Sequence, residues 1–157
     1  MRLTTRTNLA VRILMMCAVN ETRTVRTADI ARSCNASLNH LLHVVSALQA
    51  LGFLETIRGR GGGLRLAVPG HLISIGAVFR LFEAGVPVAE CFDPETNTCP
   101  LAGACRLKTY IAVATEAFYR ELDQICLDDL VIGNCGLEAL LSLRPQPTGS
   151  CAAAIGS

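Results

Sequence analysis

The stretch TADIARSCNASLNHLLHVVSALQALGFLETIRGRGGGLRL, residues 27–66, decides the fold, because two helical patterns and a glycine-rich hairpin follow one another within it. The first pattern predicts a helix over 27–33, with Thr27 as its cap. Ser37 opens the second predicted helix, and Gly52 ends it. Two short helices joined by a tight polar turn are typical of a helix-turn-helix.

The spacing of apolar residues gives each of these helices an inward face. In the first helix we expect Ala28, Ile30 and Ala31 to face the core. In the second, the inward positions follow an i, i+3, i+4, i+7 spacing and are Leu38, Leu41, Leu42, Val45 and Leu48. The opposite, exposed face holds Asn39, His40, His43, Ser46 and Ala47.

This exposed face predicts contact with DNA. It carries no acidic residue, and a helix that begins at Ser37 and exposes Asn39, His40 and His43 can enter the major groove. Asparagine pairs in a bidentate way with adenine, and histidine donates to guanine or to phosphate. The alternative interpretation is an ordinary solvated helix face.

After Gly52 the pattern changes to that of β-strands. Residues 53–57 and 64–68 are short β-type runs, and the glycines between them allow the positive φ values of a hairpin tip. Arg58 and Arg60 at this tip can reach a phosphate or a narrow minor groove. The segment therefore predicts a wing, with an ordinary hairpin as the alternative.

The charge of the chain is divided between its two halves. Residues 1–70 carry nine arginines against three acidic residues, a net charge of +6. Residues 71–157 carry five basic against ten acidic residues, a net charge of −5. Such a division indicates that the first half faces a polyanion.

The length and composition of the chain exclude disorder throughout. With 157 residues, 51% of them hydrophobic, the chain can bury the core of one domain.

No segment predicts a membrane span or a secretory signal. The longest apolar run, 13–19, is far shorter than the ~20 residues that cross a bilayer. Arg2, Arg6 and Arg12 interrupt the apolar positions near the N-terminus, unlike the continuous apolar core of a signal peptide. We therefore expect a cytoplasmic protein with no membrane partner.

Eight cysteines in a reducing compartment favour metal or redox chemistry over disulfide bonds. Cys91, Cys99 and Cys105 fall in a predicted loop with the spacing C-x7-C-x5-C, so that three thiolates can converge on one point. Because no C-x2-C pair is present, structural zinc is less favoured than an iron–sulfur cluster, which needs a fourth ligand. A zinc-stabilised regulator stays open as an alternative. A thiol oxidoreductase lacks its C-x-x-C pair and an acid–base cluster, so we expect no enzyme.

Helical patterns flank these segments. A first helix has Thr4 or Thr5 as its cap, and another helix spans 73–82. From Cys105 an apolar stripe predicts the longest helix of the chain, of about five turns. The positions of this stripe are Leu107, Tyr110, Ile111, Ala114, Phe118, Leu122 and Ile125.

The chain resembles the winged-helix iron–sulfur transcriptional repressors that include IscR, RirA and NsrR. The motifs that carry the resemblance are MRLT at 1–4, SLNHL at 37–41, RGRGGGLRL at 58–66, ECFD at 90–93, CPLA at 99–102 and CRLK at 105–108. They cover about residues 1–132. The asparagine-histidine helix start and the CPLAGACRLK segment are most similar to the nitric-oxide-sensing repressor of this group, NsrR.

The resemblance implies a repressor that binds double-stranded operator DNA as a homodimer, with the helix from Cys105 pairing the two subunits. Each subunit would hold one cluster, 4Fe–4S or alternatively 2Fe–2S, through Cys91, Cys99 and Cys105. Nitric oxide would be the signal that acts on the cluster.

One position departs from this resemblance. In nitric-oxide sensors of the group, an aspartate on the first helix of the partner subunit can complete the cluster, and the matching position here is Asn8. An amide oxygen is a neutral and weaker iron ligand than a carboxylate. The alternative is therefore an iron-responsive repressor of the RirA type, with the same fold and the same three cysteines.

The resulting expectation is a mainly α fold with a small β-hairpin wing. It divides into a winged helix-turn-helix DNA-binding domain over 1–84 and a cysteine cluster loop over 85–105. A dimerisation helix with a C-terminal helical segment follows over 106–143. The Pro-, Gly-, Ser- and Ala-rich tail, 144–157, is expected to be disordered.

Overall fold

The computed structural model describes residues 3–143, so the tail predicted over 144–157 lies outside the described residues. Within this range the fold consists of seven α-helices and one antiparallel hairpin. In chain order these are α1 (Thr5–Val19), α2 (Thr27–Cys34), α3 (Leu38–Ala50), β1 (Leu54–Ile57), β2 (Gly63–Leu66), α4 (Ile75–Glu83), α5 (Arg106–Asp123), α6 (Leu127–Val131) and α7 (Cys135–Leu141). The expected winged helix-turn-helix, mainly α with a β-hairpin, is confirmed.

Helix α1 lies at the centre of the fold. Thr4 caps it by accepting a hydrogen bond from the Thr7 backbone N–H at 3.2 Å, which confirms one of the two predicted cap positions. Its buried apolar residues are Leu9, Ala10, Ile13, Leu14, Met16 and Cys17. Because apolar residues occur on several sides of α1, the helix packs against α2, α3, α4, α6 and α7 at once.

The helix-turn-helix forms where the sequence predicts it, with two local corrections. Arg26, not Thr27, precedes the first turn of α2, and it makes no side-chain cap; the predicted Thr27 cap is wrong. Ala28 is exposed, whereas Ile30 is fully buried, because an eight-residue helix lying on the core can turn only a narrow stripe inward. The turn uses Asn35 in the left-handed conformation, at φ 49°.

Helix α3 begins at the predicted cap but turns a different row of residues inward. The Ser37 side chain accepts a hydrogen bond from the His40 N–H at 3.3 Å. The buried residues are Leu41, Val44, Val45 and Leu48. Leu38 and Leu42, which we expected in the core, are about half exposed. The buried residues Leu41, Val44 and Leu48 follow the helical period and form the row that faces the core. Leu42 lies outside this row.

The hairpin is short and is braced by the preceding chain. Its register pairs Leu54 with Leu66 and Ile57 with Gly63. Val25 adds two hydrogen bonds to Leu64, each of 2.8 Å, on the outer side of β2. This approach leaves no room for a side chain at position 63, where a Cβ would lie 2.8 Å from the Val25 carbonyl oxygen.

Arg80 joins α4 to α5. Its guanidinium donates two hydrogen bonds of 2.8 Å to Glu116 and one of 2.9 Å to Asp123. The hydrogen bonds from Arg80 hold the pKa of the Glu116 carboxyl below its ordinary value. The Phe79 and Phe118 rings pack alongside, with centroids 6.2 Å apart. One side of the long helix is thereby fixed to the winged-helix body.

The chain after α5 returns to α1. The Ile75 and Leu127 N–H groups donate to Ile125 and Ile73 carbonyls, both at 2.9 Å, and Leu127 is fully buried. The residues after the long helix therefore share the core of the winged helix.

The predicted division into four segments stays a prediction. Within residues 3–143, every helix is too short or too polar to cross a bilayer.

Gly76 lies where α4 closely approaches the end of α5. A Cβ at this position would lie 2.5 Å from the Asp123 backbone nitrogen and 2.8 Å from its Cα. We expect Gly76→Ala to lower the free energy of unfolding by about 1–3 kcal/mol, measured by urea denaturation. The matched control is Gly136→Ala in α7, where the nearest atom is 3.9 Å away. Equal stability of the Gly76 variant and the wild type would contradict this packing.

Candidate functional site

The exposed face of α3 carries the residues predicted to contact DNA. Asn39, His43 and Ser46 are exposed and lie within one stripe of the helix, while Ala47 is half-buried. Because Leu41 and Leu48 fix the opposite stripe in the core, the helix cannot rotate without exposing them. The structure therefore brings Asn39 and His43 together on one accessible surface.

His40 lies apart from this stripe, on a groove between α1 and the helix-turn-helix. Asn8, Arg12, Ser37 and His40 line this groove, whose volume is about 480 Å³. The guanidinium of Arg12 donates to the Cys34 carbonyl oxygen at 3.2 Å, which fixes it beside the turn. Arginine, histidine and the first N–H groups of a helix are suited to a phosphate oxygen. The groove thus lies beside the stripe of Asn39, His43 and Ser46, which is the predicted base-reading stripe.

Asn8 lies in this groove and is exposed on α1, whereas the three predicted cysteine ligands lie in the loop between α4 and α5. Its predicted role as a cluster ligand donated by a partner subunit stays a prediction.

The hairpin tip exposes two cationic side chains. Arg58 and Arg60 are exposed, and neither has a salt-bridge partner among the described residues. Arg65, on β2, instead donates to Glu55 at 2.6 Å. Gly59 and Gly61 have positive φ values of 99° and 87°, which glycine adopts without strain. The tip therefore offers unneutralised charge on a backbone without bulky neighbours.

The Thr24 hydroxyl holds this tip in place. It donates to the Gly61 carbonyl oxygen at 2.6 Å. A Cβ at Gly62 would lie 3.0 Å from the Gly59 carbonyl oxygen, so the tip is also closely folded on itself. The wing arginines extend from an anchored turn.

The three predicted cysteine ligands lie in one loop that is braced by its own side chains. Cys91, Cys99 and Cys105 are free and half-buried. One oxygen of the Glu90 carboxylate accepts from both the backbone N–H and the hydroxyl of Thr98, each at 2.6 Å. These two residues directly precede Cys91 and Cys99, so the bond brings the first two cysteine segments together. The same hydrogen bonds hold the pKa of Glu90 below its ordinary value.

A second contact joins the third cysteine segment to the first. The Lys108 ammonium lies 5.7 Å from the centre of the Phe92 ring, a cation–π distance. Phe92 follows Cys91, and Lys108 lies one turn after Cys105, the N-cap of α5. The third predicted ligand therefore lies at the start of the long helix.

The donor set suits an iron–sulfur cluster, since thiolates are the ligands these clusters take. Within residues 3–143 there is no group of three or more His, Cys, Asp or Glu side chains arranged to hold a metal ion. The two braces bring the cysteine segments together without gathering the three sulfurs in ligating positions.

Two further cysteines are structural. Cys17 and Cys34 are buried, as their positions in the sequence favour. Burial raises the pKa of the Cys17 thiol to about 12, so it stays protonated. Burial also raises the pKa of Cys34, although the Arg12 guanidinium partly opposes this shift.

Comparison with known proteins identifies the family of the chain. Residues 3–133 match the Rrf2 family, described as iron-dependent transcriptional regulators. The chain belongs to the Rrf2 family. It is 41% identical to the HTH-type transcriptional regulator NsrR of Halalkalibacterium halodurans, over 92% of this chain and all of that protein. It is 40% identical to the HTH-type transcriptional repressor NsrR of Streptomyces coelicolor, over 95% of this chain and all of that protein.

A solved structure shares the fold of this Rrf2 protein. CymR, the global cysteine regulator of B. subtilis, is 26% identical and superposes with a TM-score of 0.62, over 83% of this chain and 95% of that one. The regulator names of the relatives agree with the expectation of a DNA-binding transcription factor that is not an enzyme. They support the resemblance drawn from the motifs.

Sequence reasoning missed several residues of the site. Glu90 and Thr98 brace the cysteine loop, but an acidic residue and a threonine eight positions apart form no recognised motif. Leu42 lies on the exposed side of α3 beside Asn39 and Ser46, although its apolar character indicated the core. Patterns of apolar spacing carry no signal for either arrangement.

The wing arginines give a prediction that separates charge from structure. We expect Arg58→Ala and Arg60→Ala each to weaken binding to duplex DNA of any sequence, because both charges are free to meet phosphates. Each change should also reduce the slope of log affinity against log salt by about 1, measured by fluorescence anisotropy across a salt series. Arg65→Ala is the control, since Glu55 already neutralises that charge. A salt slope that falls as much for Arg65→Ala would contradict the assignment.

Proposed function

We propose that this Rrf2 protein is a repressor that holds an iron–sulfur cluster through Cys91, Cys99 and Cys105 and releases its operator when nitric oxide acts at that cluster. The observation that carries the proposal is the double bracing of the cysteine loop, by Glu90 with Thr98 and by Phe92 with Lys108. The nitric-oxide signal rests on the likeness of the cysteine motifs to sensors of that gas, and the relatives named NsrR support it.

The cluster would be of the 4Fe–4S type, with 2Fe–2S as the alternative. When bound, it would supply iron atoms at which nitric oxide can bind. The three cysteines would contribute thiolates, and Cys105 would do so from the N-cap of α5. The rest of the response depends on how this chain transmits a change in the loop.

Glu83 provides the connection between the loop and the DNA interface. It is the last residue of α4, directly before the loop, and its carboxylate accepts from the Thr4 N–H at 2.9 Å and the Thr4 hydroxyl at 3.1 Å. The Thr7 hydroxyl donates to the same oxygen. These threonines begin α1, whose next turns present Asn8 and Arg12 to the groove beside α3. Movement of the loop start therefore displaces the start of α1.

The size of this coupling needs only to be modest. A difference of ~1–3 kcal/mol between the two loop states would change DNA affinity by about 5- to 150-fold. The half-buried Glu83 carboxylate accepts three hydrogen bonds, and together these contribute a free energy of that order. Glu83 is therefore sufficient as the connecting residue.

The second copy needed for a palindromic operator would bind along α5. In the single chain this 18-residue helix has no buried residue. Ile111 and Phe118 of the predicted stripe are half-buried and Phe118 packs against α4, whereas Leu107 and Tyr110, nearer the start of the helix, are 63% and 70% exposed. Such an apolar side suits the isologous contact of a two-fold dimer, which would place two α3 helices about 34 Å apart on DNA.

A charged side chain introduced at the exposed start of α5 tests the proposed dimer. We expect Leu107→Glu to convert the dimer to a folded monomer in sedimentation velocity, with DNA affinity lost by tenfold or more. Ile132→Glu is the control, because this residue is 74% exposed but lies after α6. A Leu107→Glu protein that sediments as the wild-type dimer would overturn the proposed contact.

Asn8 favours iron availability as the second candidate signal. A neutral amide would hold a fourth iron less firmly than a carboxylate, so that loss of iron would be easier. The iron-responsive alternative therefore shares every residue named above and differs only in what disrupts the loop.

One experiment tests the cluster and separates the two signals. Anaerobically purified protein should be brown, and nitric oxide should bleach it and lower operator affinity by fivefold or more. Serine at Cys91, Cys99 or Cys105 should abolish both colour and response, while Cys126→Ser, at the N-cap of α6 where serine is well tolerated, should retain them. A colourless, zinc-containing wild type would refute the cluster. Release of DNA by an iron chelator but not by nitric oxide would establish iron sensing instead.

A further inference from the structure

We infer that Leu42, with Leu38 beside it, reads thymine in the operator by packing against the C5-methyl group in the major groove. The inference rests on the proposed role of α3 in DNA recognition and adds a chemical class of base contact to it. Leu42 is 49% and Leu38 50% exposed, although both were expected in the core.

The two leucines belong to the base-reading stripe by their position on the helix. Leu42 lies three residues after Asn39 and four before Ser46, so its side chain is a direct neighbour of both. Leu38 lies one turn earlier on the same side. The inward row that includes Leu41 and Val44 is fully buried, so no rotation of α3 can cover Leu42 without exposing that row.

The surroundings of these leucines indicate DNA as the occupant. The exposed stripe has no acidic residue, and positive charge in the same winged helix-turn-helix comes from Arg12 in the neighbouring groove and from Arg58 and Arg60 on the wing. A protein partner that packs on the leucines would face this positive charge at the edge of its interface. The phosphates of a duplex would instead neutralise the charge. Duplex DNA therefore fits both the apolar centre and the charged surroundings.

Within the major groove, the apolar side chain has one specific target. The edges of guanine, cytosine and adenine present hydrogen-bond donors and acceptors, and thymine alone adds a methyl group. A leucine placed against a polar edge would leave that edge unpaired. Leu42 therefore selects thymine next to the base contacted by Asn39.

The test uses a probe that removes only the methyl group. A preferred duplex is first selected from a random-sequence library with the full-length protein, and each thymine is then replaced by deoxyuridine. At one or two positions per half-site, this change should weaken wild-type binding by about fourfold, the effect of one buried methyl group. Leu42→Ala should bind the thymine and deoxyuridine duplexes equally, because the contact is already gone.

Two further variants keep the experiment decisive. Leu42→Met retains an apolar side chain of similar length and should keep most of the response to the methyl group. Leu51→Ala changes an exposed leucine at the other end of α3 and should respond as the wild type does. Circular dichroism establishes that each variant is folded.

The outcomes distinguish this inference from the function on which it rests. Selection of a duplex with no sensitivity to deoxyuridine, or equal sensitivity in Leu42→Ala, would overturn the thymine contact and leave DNA recognition by α3 intact. Failure to select any duplex would overturn both. A change in sedimentation of Leu42→Ala, with unchanged DNA affinity, would show that these leucines bind protein.

Discussion

Ala10, Ile13 and Leu14 are completely removed from solvent on α1, and the remaining elements are positioned by this burial. Each such aliphatic side chain of valine size or larger contributes about 1.5–3 kcal/mol when it leaves water. The helix contacts the helix-turn-helix on one side and α4, α6 and α7 on others. A change in its position is therefore felt by both the DNA-binding and the cysteine-bearing parts of the molecule.

Polar side chains fix the two ends of α1. At the start, Glu83 accepts from Thr4 and Thr7 and holds the helix to the end of α4. At the other end, the buried Asn20 amide donates to the Met16 and Leu141 carbonyls at 2.8 and 2.9 Å. Because hydrogen bonds are directional where apolar packing is not, these residues determine the register of α1 against its neighbours.

The sequence predicts the elements better than the faces they present. Ser37 and the glycine-flanked arginines of the hairpin are local signals, and both lie where expected. The apolar character of Leu42 and Ala28 fits a helical period and predicts the core, yet both are exposed, because the elements that contact α3 and α2 leave part of each helix uncovered. The bond of Glu90 to Thr98 and the bonds of Glu83 to α1 join residues that no spacing rule relates. Such contacts follow from the tertiary fold and cannot be predicted from a local pattern.

The loop between α4 and α5 contributes no buried residue: every position from Ala84 to Cys105 is exposed or half-buried. Substitutions there remove little apolar surface from the core, so they leave the free energy of unfolding nearly unchanged. In an evolving lineage, the residues and length of this loop can change while the winged helix keeps its stability. The chemistry of this loop is thus free to diversify on an unaltered winged-helix body.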